Sequence, residues 1–441
     1  MKIKENLFNQ RIISIDALRG ITIFVMIFVN ELASIQNVPQ WMKHMPADAD
    51  AMTFVDLVFP AFLFIVGMSI PFAFNARLIK GDSPKTIWTH TLKRAIALII
   101  IGVFMVNAEY GYDAAKMIIT PAFWGLLAYS MPIPIWNKYP KDFPLWLKNV
   151  LQYGGILVLI ALYFIYVQDT GDRGMTPKWW GILGLIGWAY LFTVIYYWLV
   201  SGNLWAMIAF LVFAVVMNSL NLIENSFVQN TSWLSFIAGH LTHVSLTSAG
   251  IIISLLFFDR KISSKINWPV IGFIVLFTVT AVLLRPYFGI SKIKGTPSWT
   301  MFSAAICTAL FYFLYWLMEV KKQTKWSEFF MPAAANPLLI YILPGVIYYF
   351  CKTFNLHIIP GYFREGIPGI LWSLLFSIIM LFVMKILNKY KIQLASLRFQ
   401  VSSFRFQVDE LNRKERKAIR KVRKVFYKKL CEPCVYNEWD I

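Results

Sequence analysis

At 441 residues, with 58% hydrophobic and only 15% charged side chains and a mean hydropathy of +0.59, the chain is too apolar for a soluble domain of this size. A formal net charge of +19 invites a nucleic-acid partner. The excess, however, sits in short segments between apolar runs and beyond Tyr390, which suits a membrane surface and argues for a lipid bilayer and against nucleic acid.

The composition reads as an all-α, polytopic integral membrane protein of about 10–12 transmembrane helices with both termini cytoplasmic. Residues 1–12 are polar and basic (Lys2, Lys4, Arg11) and lead into an apolar run from Ile12 to Val29. No small-residue cleavage site follows, so this run is predicted to be an uncleaved first span that starts inside. Further spans are predicted at about 55–75, 95–108, 118–136, 149–167, 180–200, 204–222, 236–258, 269–285, 299–319, 335–351 and 368–387. The pair joined at Ser201–Asn203 is a tight helical hairpin.

Loop charges test the threading, because alternate loops should differ in Lys and Arg. Loops assigned inside carry Arg77, Lys80, Lys85, Lys93 and Arg94, then Lys138, Lys141 and Lys148, then Arg260, Lys261 and Lys265, then Lys321, Lys322 and Lys325. Those assigned outside carry only Lys43, Lys116, Arg173, Lys178, Lys292, Lys294 and Arg364. Residues 1–390 form a transmembrane domain whose motif-bearing core is 12–110, and 391–441 form a basic cytoplasmic tail suited to anionic headgroups. No internal duplication is visible. Cys431 and Cys434 make one C-x-x-C without a second half, so no metal is expected.

The polar residues concentrate between the first two spans. In WMKHMPADADAMTFVDLVFPAF, one histidine, His44, and three acids, Asp48, Asp50 and Asp56, run straight into an apolar helix. Ionisable groups beside a span persist when they pair, face a cavity or work. An imidazole exchanges protons near neutral pH, so His44 suits a general base for an amine or hydroxyl. Asp56 can orient the ring, and Asn30, at the outer end of the first span, can hold a carbonyl oxygen. At the inner end, Asp16 and Arg19 lie three apart on one helix face and either pair with each other or hold an anionic ligand such as a nucleotide phosphate. His90 reads as solvated in an inner loop, and His240 and His243 share a helix face with no third metal ligand in sight. His357 reads as an outer-loop residue. Thr296 and Asn336 read as ordinary helix starts.

IDALRGITIFVMIFVN, then a histidine, then FVDLVFPAFLFIVGMSI, resembles the transmembrane N-acetyltransferases typified by heparan-α-glucosaminide N-acetyltransferase and their bacterial relatives; NPLLIY from Asn336 to Tyr341 is similar to a late helix of the same family. The resemblance implies a multi-pass acyltransferase of a bacterial inner membrane, moving an acetyl group from cytoplasmic acetyl-CoA to an amino sugar on the outer side. His44 falls on the catalytic position, with Asn30 and Asp56 on the polar positions that accompany it. Arg19 and Asp16 are candidates for contact with the CoA phosphates. HMPADADAMT departs from the tryptophan and glycine that commonly follow the family's histidine, which bears on the acceptor. The integral-membrane O-acyltransferases also begin with LRG but carry a histidine where Asn30 stands here. A small-solute transporter and an O-acetyltransferase of envelope polysaccharide are the alternatives, and a homo-oligomer is left open.

Overall fold

Where no water competes, a chain must close its backbone hydrogen bonds within itself, and helices do so locally. The computed structural model describes residues 12–140, 142–258, 267–356, 360–390, 392 and 394. The predicted tail, apart from Ile392 and Leu394, lies outside the described residues with its Cys431–Cys434 pair, as do His357, Lys141, Arg260, Lys261 and Lys265.

The described residues form α1 (Ile13–Leu32), α2 (Val55–Ile79), α3 (Pro84–Glu109), α4 (Pro121–Ser130), α5 (Pro132–Trp136), α6 (Leu145–Ile165), α7 (Gly181–Leu199), α8 (Leu204–Leu222), α9 (Phe227–Asn230), α10 (Ser232–Phe258), α11 (Asn267–Phe288), α12 (Pro297–Tyr315), α13 (Met331–Ala335), α14 (Pro337–Thr353) and α15 (Gly366–Lys389). Ten of these are long and apolar enough to cross a membrane, and α14 is a shorter apolar helix. Among the described residues the protein is an all-α, multi-pass membrane protein with no strands, only isolated bridges.

The helix starts are chemically marked. Ser83, Thr120 and Asn203 accept hydrogen bonds at their side-chain oxygens from the backbone N–H groups of Thr86, Phe123 and Ala206. In the first two cases a proline follows at the first helical position. Capping at Ser83 starts the third helix well before residue 95, so His90 sits exposed on α3 rather than in a loop. Ser201 and Gly202, both at positive φ (51° and 66°), close the hairpin between α7 and α8.

The fourth predicted span is a broken one. Pro132, which has no N–H to continue the ladder, separates α4 from α5. Trp124 Nε1 donates to the Leu162 carbonyl (3.0 Å), and Gln152 Nε2 donates to the Ile135 carbonyl (3.1 Å). The two short helices therefore run antiparallel beside α6 and return the chain to the opposite face. The long-range contacts sort accordingly. On one face Ile13 N–H donates to Glu319 (2.9 Å), Asn388 Nδ2 to Pro332 O (3.1 Å) and Asn336 Nδ2 to Ile392 O (3.1 Å), while Asn137 bridges Leu394. On the other Gln36 bridges Glu365 and Tyr112 bridges Gln168. The lysine-rich loops open on the first of these faces and His44 on the second, so α1 begins and α15 ends on the basic face.

At the centre, α2 and α10 are the most enclosed helices, with 83% and 89% of their apolar stretches buried, against 17% for α6 and α11. They touch backbone to backbone. A Cβ at Gly67 would collide with the Thr247 carbonyl, and one at Gly250 with the Phe64 carbonyl. Exposed Trp146, Trp205, Trp233 and Trp268 stand in the first turns of their helices, where amphipathic rings meet the headgroup level.

Candidate active site

Asp56 lies in the first turn of α2, buried (1% exposed), and its carboxylate is fixed by the loop in front of it. Backbone N–H groups of Thr53 (3.0 Å) and Met45 (3.3 Å) donate to Oδ2, and the Thr53 hydroxyl lies 3.3 Å from the same oxygen. That hydroxyl also sits 2.8 Å from the Lys43 carbonyl, which ties the two ends of the loop together. Pro60 has no N–H for the Asp56 carbonyl four residues earlier, so the first turn of α2 lacks that rung and is held by the loop instead.

The remaining oxygen, Oδ1, takes His44 Nδ1 at 2.7 Å. A carboxylate only accepts, so Nδ1 carries the proton and donates, and Nε2 presents its lone pair. The His44 side chain is 41% exposed, so this nitrogen is open to an incoming molecule on the face opposite the basic loops.

Lys292, from the connection between α11 and α12, completes the cluster. Its Nζ stands 3.2 Å from Nδ1 and 3.1 Å from Nε2 of His44. Near-equal distances to two nitrogens of one five-membered ring put the ammonium over the imidazole face, because an in-plane position would overlap Cε1 or the ring. The Nδ1–H therefore keeps Asp56 in the ring plane, and the Nε2 lone pair stays open to an in-plane partner. Burial pushes the Lys292 ammonium down to about 8, against the pull of the Asp56 carboxylate.

Two staples hold the connections together. Asp50 Oδ2 accepts from Arg285 Nε (2.9 Å) and its Oδ1 from the Ile290 N–H (2.8 Å), and the Ser291 hydroxyl donates to the Ala47 carbonyl (2.9 Å). The hydrogen bond from Arg285 holds the Asp50 carboxyl below the usual carboxylate range. Thr296 stands at the start of α12 but makes no side-chain cap; its hydroxyl donates to the Gly289 carbonyl (3.0 Å) and accepts from the Ser291 N–H (3.0 Å), closing the Lys292 loop on itself. Asn336 likewise spends its amide on Ile392 rather than on its own helix.

Of the residues singled out in the sequence, the fold brings His44 and Asp56 together. Asn30 is exposed near the outer end of α1 and is not a hydrogen-bond partner of either. Asp16 and Arg19 lie at the other end, buried, with Arg19 Nη1 on Asp16 (2.9 Å) and Nη2 on the Ser69 hydroxyl (2.9 Å). His240 is enclosed by Trp180, Trp188, Phe192 and Phe236, and His243 packs on Phe59. Lys292 carried only one signal in the sequence, that of a cation in an outer loop, and nothing tied it to a histidine 248 residues away. One turn below Asp56, an apolar cleft opens between α1, α2, α3, α7 and α14, lined by Met26, Phe59, Phe62, Leu98, Ile186 and Tyr341 among others.

A family model described as a domain of unknown function (DUF5009) matches residues 11–237, just over half of the chain. The stretch includes His44 and Asp56 and stops short of Lys292. Human heparan-α-glucosaminide N-acetyltransferase is 37% identical over 101 residues, and the mouse protein of that name 35% identical over 101 residues. Each match covers 23% of this chain and 14% of the relative, so the chain spans about one seventh of their length.

Proposed function

The chain belongs to the DUF5009 family, and we propose that it is a membrane-embedded acyltransferase which takes an acetyl group from cytoplasmic acetyl-CoA and places it on an amino sugar at the outer face of a bacterial inner membrane. The observation that carries this reading is a histidine whose Nδ1 lies 2.7 Å from a buried carboxylate while its side chain is 41% exposed. That is the arrangement of a general base with its orienting group. The similarity to an N-acetyltransferase over 101 residues supports the reaction class.

In this mechanism the acceptor amine attacks the thioester carbonyl carbon and yields its proton to His44 Nε2. The imidazolium is stabilised by Asp56 and returns the proton to the departing CoA thiolate. The basic face suits the phosphates of the donor. Arg19 and Asp16, buried against each other and against Ser69, are better placed to tie α1 to α2 than to bind a phosphate. Asn30, exposed near the same end of the bundle as His44, is proposed to meet the substrate rather than the His44–Asp56 pair.

Purified protein in vesicles tests the proposal. Transfer of label from acetyl-CoA to glucosamine, lost in His44→Ala, is the expected result. Uptake of unmodified glucosamine with no transfer overturns it in favour of a transporter.

A further inference from the structure

Taking the acyl-transfer reading as its premise, we propose that Lys292 is a second catalytic residue, whose ammonium donates to the carbonyl oxygen of the acetyl group as that oxygen becomes an oxyanion. The geometry places it. Nζ lies 3.1 Å from Nε2 of His44 and over the ring face, so it stands beside any nucleophile that Nε2 deprotonates in the ring plane, and the carbonyl oxygen on the carbon under attack can turn to the ammonium. Standing over the ring face, the ammonium leaves the Nε2 lone pair unobstructed.

With this role every charge in the transition state faces a counter-charge. At rest the array holds one carboxylate, one neutral imidazole and one ammonium. When the acceptor's C–N bond forms, the carbonyl π pair moves to oxygen and the amine proton moves to Nε2. Asp56 then neutralises the new imidazolium, and the oxyanion is the counter-charge left for Lys292. As the oxyanion collapses, the C–S bond breaks, the thiolate takes the proton from His44, and the array returns to rest. Lys292 is not an acetyl carrier, since an acetyl-lysine amide is too stable to pass the group on.

The position is built for the purpose. The loop from Gly289 to Thr296 turns on two glycines at positive φ (63° and 62°), is pinned to the His44 loop by the Asp50 and Ser291 contacts, and is closed by Thr296. Around Lys292 the titratable and charged groups are His44 and Asp56 in the array, Asp50 paired with Arg285, and Lys43, Asp48 and Lys294 on the two connections. Burial brings the ammonium to about 8, so it is mostly charged at neutral pH and loses its proton within a range that kinetics can reach.

The test is the pH dependence of acetyl transfer to glucosamine by the full chain in vesicles, for the native protein, Lys292→Met and Lys292→Arg. The native rate is expected to fall as pH rises through about 8. Lys292→Met should lower kcat on the order of 10²–10³-fold with little change in KM, and lose that alkaline limb. Lys292→Arg, whose guanidinium stays charged, should keep part of the activity and move the limb to higher pH. The acceptor's own titration enters every profile alike. If kcat of Lys292→Met stays within about threefold of native, or if Lys292→Arg leaves the limb near 8, the proposal fails. Should Lys292→Met not assemble, the Lys292→Arg profile alone decides. A native protein that transfers no acetyl overturns the acyl-transfer reading and this inference with it, whereas an active native protein indifferent to position 292 overturns only the inference.

Discussion

Two acid–base clusters stand at opposite ends of the bundle and differ in one respect that separates structure from chemistry. Asp16 and Arg19 are buried together, and Ser69 takes a further guanidinium nitrogen. His44 and Asp56 share one short hydrogen bond, but the imidazole keeps a nitrogen open and a cation rests on its face. A closed pair inside a membrane protein fixes helices. An open pair can exchange a proton with something else.

Breaking the open pair should remove activity without unfolding the protein. We expect His44→Ala to lower acetyl transfer on the order of 10²–10⁴-fold, measured with labelled acetyl-CoA, with an unchanged melting curve in detergent. Breaking the closed pair should do the reverse. Arg19→Leu removes the guanidinium that Asp16 and Ser69 share, and a loss of about 3–5 kcal/mol in stability is expected from denaturant unfolding in mixed micelles.

Asp56→Asn sharpens the contrast within the open pair. An amide nitrogen turned toward the Thr53 and Met45 N–H groups meets two donors, and one turned toward His44 reverses its tautomer. Either way kcat should fall, on the order of 10²-fold, with KM little changed. Asp50→Asn, outside the array but part of its staple, should have a smaller effect, about threefold to tenfold. Because Arg285 holds the Asp50 carboxyl below its ordinary range, the stabilisation from this pair is present above the unfolded value of 3.8 and is lost only as pH falls below it. The staple therefore persists across any pH at which transfer is assayed.

The smallest expected effect concerns stability. Lys292 has its folded value lowered to about 8 from 10.5, so between those values the unfolded chain binds more protons and native stability rises with pH. Lys292→Met should be more stable than the native protein at pH 7, and the gap should close as pH climbs from about 8 to 10.5. A site residue that weakens the fold in its working state is what a functional position predicts.

Most of the fold was legible in the sequence because apolar run length and loop charge report directly on crossing the bilayer. The region predicted as one helix at 118–136 instead splits at Pro132, since hydropathy averages over a break that one missing N–H decides. Within the candidate site, His44 and Asp56 could be paired from their closeness along the chain. Lys292 could not, because its approach depends on how α11 and α12 meet α2 through contacts more than 230 residues apart. Thr296 and Asn336 show the same limit at smaller scale, standing at helix starts as their types suggest while their side chains bond elsewhere.

The Asp50–Arg285 staple has a mechanical corollary. Arg285 belongs to α11, one of the two long helices most open to lipid. The floor of the array is the enclosed α2, but its lid hangs from a helix that feels the acyl chains directly. A thinner or thicker bilayer tilts such a peripheral helix, and here tilt translates into the spacing between ammonium and imidazole. Turnover should therefore vary with acyl-chain length across a reconstitution series, whereas a protein cross-linked between positions 50 and 285 should be insensitive to it.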